Sequence, residues 1–115
     1  MDWHRAHDLI SQAVHHLSSE NSDSIEHIAD SIERIDVLLH EVDQLDDFQI
    51  PSGLYGYLSP IRALLWEAAE KFQAENREST FNYKQFVASM PQNIRHEIVN
   101  MIFEIYDLSY KQTRR

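Results

Sequence analysis

The chain has 115 residues, 19 Asp and Glu against 10 Lys and Arg, a net charge of −9 and no cysteine. That length accommodates one domain around one core, and the missing cysteines exclude disulfides and thiolate metal sites. The acidic balance disfavours nucleic acid and anionic membranes as partners and favours encounter with a basic protein.

Only two glycines and three prolines occur, and β-branched residues never alternate cleanly, so sheet turns and strand patterns are both missing. The expected fold is all-α, a single-domain bundle of four to five helices over residues 1–115. The start, Met1-Asp2-Trp3-His4-Arg5, lacks the apolar core of a signal peptide. No apolar run approaches the ~20 residues of a membrane span, and the expected location is the cytoplasm.

Residues 2–18 place Trp3, Ala6, Ile10, Ala13, Val14 and Leu17 on one face, which predicts a first amphipathic helix. The polar run Ser18 to Ser22 breaks that pattern. Asp23, with Glu26 three positions on, resembles a capping box and opens the second helix. There Ile25, Ile28, Ile32, Ile35, Leu39 and Val42 repeat at three and four residues and make one unbroken apolar seam. The other side carries Glu26, Asp30, Glu33, Asp36, Glu41, Asp43 and Asp47, with Arg34 as the sole cation among them and His27 nearby. Residues 1–47 hold twelve Asp and Glu against two Arg, whereas 48–115 hold seven against eight Lys and Arg. The charge imbalance therefore belongs to the N-terminal half, and so many uncompensated carboxylates on one helix repel one another. A fold does not need them, which points to a binding role.

The seam fails at Asp46, and Phe48 to Gly53 reads as a connection, since Ile50 before Pro51 is pushed to extended geometry. Leu54-Tyr55-Gly56-Tyr57-Leu58 reads as a single turn or loop. Phe48, Leu54 and Leu58 are expected to cap the bundle, and Tyr55 and Tyr57 to make contact with a partner, as aromatic anchors beside a charged rim do. Ser59-Pro60 reads as N-cap and first position of a third helix with Ile61, Leu64, Leu65, Ala68 and Phe72 as its buried stripe. A polar link from Asn76 to Thr80 precedes a short helix from Phe81 to Ala88. Pro91 to Tyr110 carries two overlapping stripes, Ile94, Ile98, Met101, Ile105 and Leu108 beside Val99, Ile102, Phe103, Tyr106 and Tyr110. A helix apolar through most of its circumference is expected at the centre of the bundle. Lys111 to Arg115 reads as a frayed basic tail.

Seven histidines raise the question of a metal. No histidine has Glu three residues before it, as helical di-iron sites require, and His-Glu-x-x-His is absent. His4 with Asp8 and His16 with Glu20 stand one turn apart, a pattern that surface residues on a polar face also produce. The expectation is no metal and no cofactor. Arg34-x5-His40 is similar to the Arg-x(4–6)-His signature of the HEPN ribonucleases. Ile35 stands where that family usually has a polar residue, and six residues on one helix turn the two side chains about 120° apart. No nucleophilic triad or phosphate loop can be assembled, and the protein is not expected to be an enzyme.

The acidic ridge leading through Pro51-Ser52-Gly53 into a tyrosine-bearing turn closed by Pro60 resembles the immunity proteins of the colicin-type nucleases. In that family an acidic second helix and a short third helix bind the toxin, with two tyrosines shortly after a Ser-Gly step and before a proline. The resemblance covers residues 25–60, roughly a third of the chain. The family's tyrosines are adjacent, whereas Gly56 separates Tyr55 from Tyr57 here; the aspartate of its turn is missing, and two further helical segments follow. The broader immunity proteins of contact-dependent inhibition systems are similar in type. They are small, cytoplasmic, often acidic, varied in fold and without a common motif, and each neutralises one toxin domain, commonly a basic nuclease.

What the resemblance implies is an inhibitor, monomeric when free, that binds a cationic nuclease toxin and occludes its nucleic-acid site. Carried over by position, the partner-binding residues are Glu33, Asp36, Asp43 and Asp47 of the ridge, with Tyr55 and Tyr57. The rival expectations are a homodimeric regulatory or scaffold protein, joined through the seam of 25–42 or the second stripe of 91–110, and a phage-encoded acidic mimic of nucleic acid.

Overall fold

A computed structural model describes residues 1–17, 24–77 and 80–113. Helix α1, Trp3–His15, begins at Asp2, whose extended backbone lets its carboxylate accept the Arg5 N–H at 2.9 Å. That bond holds the Asp2 carboxyl below the ordinary carboxylate range. The helix buries Ala6, Leu9, Ile10 and Ala13 and stops at His15, three residues before the sequence pattern ends, although Leu17 is still buried. Residues 18–23, including the Asp23 of the expected capping box, lie outside the described residues. The cap of α2, Ile25–Asp43, is Ser24, whose Oγ accepts the His27 N–H at 3.5 Å. The seam is buried from Ile28 through Val42, with Leu38 joining it and Ile25 half-buried at the start.

The third helix departs most from expectation. Helix α3 runs from Leu54 to Glu75, so the tyrosine turn is its first turn, and Pro60 lies inside the helix rather than at its start. Gly53 precedes it at φ +85°, a left-handed conformation that costs an L side chain about 1 kcal/mol or more. Burial explains why the helix tolerates the proline. Leu54 and Leu58 are fully buried on the same stripe as Ile61, Leu65 and Phe72, and only a continuous helix puts all five on one side. Pro60 deprives the Gly56 carbonyl of its helical donor, but both residues face solvent, where water can take that place.

Phe81 precedes the next helix instead of opening it, because Asn82 Oδ1 accepts the Gln85 N–H at 3.1 Å and caps α4, Tyr83–Ser89. Phe72, Phe81 and Phe86 meet with ring centroids 5.4–5.8 Å apart and join α3 to α4. An extended Met90 makes the elbow into α5, Gln92–Thr113. This helix continues through the expected basic tail to Thr113, with Lys111 Nζ 3.1 Å from Asp107 Oδ2 one turn back.

The helices contact one another mainly as a closed ring, α1 on α2, α2 on α4, α4 on α3, α3 on α5 and α5 on α1. No strand occurs among the described residues, and the fold is a single all-α domain. The domain is only 19 Å thick, two helix diameters, so no helix is surrounded on all sides. The expectation of a central last helix is corrected accordingly. Helix α5 packs on α1 and α3 but leaves Phe103 and Tyr110 exposed, whereas α2 buries more side chains than any other helix. Between α1 and α5 the His7 Nδ1 donates to the buried Ser109 Oγ at 2.8 Å while Ser109 donates to the Tyr106 carbonyl at 2.9 Å. The His7 ring also stacks on Tyr106 at 5.4 Å, so this histidine serves the packing of the bundle.

Candidate functional site

With the α2 seam turned inward, a step of about 100° per residue sorts the carboxylates into three groups. Asp36 and Asp43 lie on the flank toward α4 and α3. Glu41 lies on the flank toward α1, and Glu26, Asp30 and Glu33 follow the outer line. Asp47 is not on this helix, because α2 ends at Asp43 and Asp47 opens a separate 3-10 turn, Asp47–Gln49.

The flanking carboxylates are braced by other helices. Asp36 Oδ2 accepts the Tyr83 hydroxyl at 2.6 Å, and Asp36 Oδ1 is 3.4 Å from His40 Nδ1. Burial first, then the hydrogen bond and charge of Asp36 and the charge of Glu33, push the Tyr83 hydroxyl well above its ordinary range. Asp43 holds the Arg62 guanidinium through two contacts of 2.7 and 2.9 Å, and that guanidinium lies 4.1 Å above the Trp66 ring. Arg5 reaches both oxygens of Glu41 at 3.3 Å, and Lys84 meets Glu26 at 3.4 Å. The sequence reading of uncompensated carboxylates that the fold does not need is therefore corrected for four of the seven. Their partners come from 19 to 58 residues away. Arg34, expected to relieve this face, makes no ion pair among the described residues, and neither do Asp30, Glu33 and Asp47.

The two tyrosines part company. Two residues apart on one helix point about 160° from each other, and Tyr55 and Tyr57, 37% and 47% exposed, stand on opposite sides of the buried Leu54 and Leu58. Tyr55 shares its side of α3 with Arg62 and Trp66, seven and eleven residues on. Tyr57 looks down the other side, toward Leu64, Ala68 and Lys71. A loop would have left both free to meet one partner; the helix does not.

Leu54 and Leu58 do close the bundle, but Phe48, expected beside them, is 85% exposed. Ile50 fills that place instead and is buried. The residues that the sequence reading missed are thus Phe48, Val37 in the middle of the acidic line, 47% exposed, and Trp66, 38% exposed. Val37 was legible as a break in the polar face. Trp66 could have been found from its place outside the stripe of Ile61, Leu65 and Phe72.

The candidate surface combines the outer line of α2, with Glu33 and Val37, and the α3 stripe of Tyr55, Arg62 and Trp66, which is tied to α2 by the Asp43–Arg62 pair. Asp47 and Phe48 stand at its end, in the turn after α2. It offers carboxylates not committed to the fold, together with Tyr, Trp and Arg, the residue types that carry binding energy in interfaces. Arg34 and His40 lie on the one helix α2 with His40 Nδ1 bonded to the Asp36 carbonyl at 2.8 Å, so the two side chains do not converge on one point. Among the described residues no three His, Asp or Glu side chains gather to hold a metal ion, and no helix is long and apolar enough to cross a membrane. Comparison with protein-family models, with curated proteins and with solved structures found no match.

Proposed function

We propose that this protein is an immunity-type inhibitor: a cytoplasmic, non-catalytic bundle, monomeric when free and needing no cofactor, that binds a cationic nuclease toxin and occludes its nucleic-acid site. The observation that carries this reading is the division of labour among the carboxylates. Those that a neighbouring helix reaches, Glu26 at the start of the outer line included, serve the fold, while Glu33, Asp30 and Asp47 make no ion pair among the described residues and share the surface with the exposed Val37, Phe48, Tyr55 and Trp66. Free carboxylates of this kind pair with the Lys and Arg side chains that in a nuclease hold phosphates. Trp66, with Arg62 pinned on its face by Asp43, is a rigid apolar anchor that loses little freedom on binding.

Co-expression with basic nuclease domains from the same genome, read as survival and co-purification, tests the reading. For a one-to-one complex, Glu33→Gln with Asp47→Asn should slow association several-fold and flatten its salt dependence, while Tyr55→Ala and Trp66→Ala should speed dissociation. Equal effects of both kinds of variant on both rates would count against this surface. Rescue by none of the domains, with no complex formed, would count against the inhibitor reading itself.

A second reading, the homodimeric scaffold, keeps one foothold. The seam of α2 is consumed inside the chain, but Phe103 and Tyr110 of α5 are exposed. Sedimentation of the protein alone separates the two, since the inhibitor is expected as a monomer and the scaffold as a dimer weakened by Phe103→Ala.

A further inference from the structure

Helices α2 and α3 are joined in the ring through α4, and where the three come together, beside the Asp36–Tyr83 bond, they leave a notch of about 40 Å³. Its walls include Asp36 of α2, Trp66 and Ala69 of α3, and Phe81 and Tyr83 at the start of α4. Among the described residues Asp36 is the one charged group in these walls. Its side chain is 27% exposed and Trp66 stands at the surface, so the notch opens to solvent. Tyr83 spends its proton on Asp36 Oδ2, which leaves the lone pairs of its own oxygen as acceptors. Asp36 Oδ1 has His40 Nδ1 at 3.4 Å, but that nitrogen is already bonded to the Asp36 carbonyl at 2.8 Å. A carboxylate oxygen and a phenolic oxygen therefore meet three aromatic rings, and among the described residues no further donor reaches either oxygen.

We infer that this notch receives one lysine side chain of the partner protein, its ammonium donating to Asp36 and Tyr83 and its last methylenes lying against the aromatic walls. The inference rests on the inhibitor reading for the partner and adds the side chain that the partner must carry. Charge selects a cation. Helix α2 carries six carboxylates against one arginine, Glu33 is close enough for its charge to act on the Tyr83 hydroxyl, and Arg62, one turn before Trp66, is already paired with Asp43. Aromatic walls favour a cation over a neutral donor, and they are set before binding, since the Phe81 and Tyr83 rings meet edge to face at 4.9 Å. Size and geometry select lysine over arginine. A space of 40 Å³ is about three times what one water needs, enough for an ammonium and a methylene or two but not for a planar guanidinium. The guanidinium fork also asks for both oxygens of a carboxylate, and Tyr83 already holds one of them. A free amine filling the notch alone would bind at about millimolar strength even at the highest efficiency per atom. The lysine must therefore belong to a body held elsewhere as well, and the exposed Val37, Tyr55 and Trp66 offer that hold. Asp36 thus serves the fold with one oxygen and a partner with the other.

The test takes the whole isotope-labelled protein and n-butylammonium in place of the lysine side chain, titrated at constant ionic strength and followed by nuclear magnetic resonance. The signals read are the Tyr83 amide and the Trp66 indole N–H, the latter identified as the one missing from Trp66→Phe. Both should shift and saturate at about millimolar concentration. n-Butylguanidinium should bind about tenfold more weakly, and n-butanol should give no saturation. Asp36→Asn keeps an oxygen for the Tyr83 hydroxyl but removes the charge, and should weaken binding about tenfold or more. Ala69→Leu, which fills the notch, should abolish it, and Glu104→Gln, exposed on α5, should leave it as in the wild type. Shifts that never saturate, that n-butanol reproduces, or that Asp36→Asn and Ala69→Leu both leave in place would overturn the inference and make water the occupant. Spermidine bound far more tightly than n-butylammonium, and lost with Asp36→Asn, would overturn it in favour of a free polyamine. The titration needs no toxin, so saturation there beside failed co-expression upholds the ammonium site and sinks only the inhibitor reading. A rescuing complex whose dissociation Asp36→Asn leaves unchanged would do the reverse, overturning the lysine in the notch while the inhibitor reading stands.

Discussion

Asp43 and Asp47 stand four residues apart and read alike in the sequence, yet they belong to different parts of the molecule. Asp43 closes α2 and is clamped to Arg62 at 2.7 Å; Asp47 sits in the next turn, exposed and with no ion pair among the described residues. The same contrast runs along α2, between Asp36, which receives the Tyr83 hydroxyl, and Glu33, three residues away on the outer line and without an ion pair among the described residues. A row of carboxylates on a helix is therefore not one electrostatic feature. Those that a neighbouring helix reaches cross-link the fold, as even Glu26 on the outer line does through Lys84, and the others are left for a partner.

The sharpest way to break this contrast is to remove both kinds of carboxylate and compare stabilities. Asp36→Ala strips a half-buried tyrosine hydroxyl of its acceptor and should cost about 1–3 kcal/mol, lowering the melting temperature by on the order of 5 °C or more. Glu33→Ala should stay within about 0.5 kcal/mol of wild type. A loss for Glu33→Ala as large as for Asp36→Ala would erase the distinction. Asp43→Asn comes next. Both partners of its ion pair are about a third exposed, so solvent screens the interaction, and the cost should be about 0.5–1 kcal/mol, shrinking in high salt.

The Tyr83–Asp36 bond also predicts a pH dependence of definite sign. Tyr83 is raised in the folded protein above tyrosine's ordinary value of about 10, so its stabilising contribution is complete below that value. It is lost as the pH rises from there through the folded value, because the unfolded chain gives up the proton first. Denaturant titrations in this alkaline window should show stability falling with pH, and Tyr83→Phe should flatten that slope. An unchanged slope would place the alkaline loss elsewhere. The smallest expected effect sharpens the account of α3. Gly56 lies inside the helix with nothing within 4 Å of an added Cβ, so Gly56→Ala should raise stability by about 0.5–1 kcal/mol. If the tyrosine segment were instead a loop, the substitution would give no such gain.

Much of the fold is legible in particular residues. The Ile seam of α2 reads as a buried face because its spacing stays in step with the helix over five turns, whereas the caps Ser24 and Asn82 were passed over for starts at Asp23 and Phe81, since neighbouring residues offer similar signals for an orphan N–H. The start of α3 was misread at Ser59-Pro60, where a local rule is right about the proline and blind to Leu54 and Leu58. Those two leucines reach the core only if the helix is already formed before the proline, and burial outweighs the lost hydrogen bond. The candidate site suffered from the same blindness. Nothing near Asp36 or Asp43 in the chain announces Tyr83 or Arg62, and the misread loop put Tyr55 and Tyr57 together when the helix divides them.

By itself, then, the sequence determined the all-α class, the inward face of α2 and its acidity, since periodicity and composition are properties of the chain and need no partner to be read. Only the tertiary structure decided which carboxylates are spent on the fold, that Phe48 faces water while Ile50 is buried, and that the two sides of α3 present different surfaces. Those outcomes depend on which side chains meet across 19 to 58 residues of intervening chain, and that is settled by how five helices close into a ring, not by the order of the residues on any one of them.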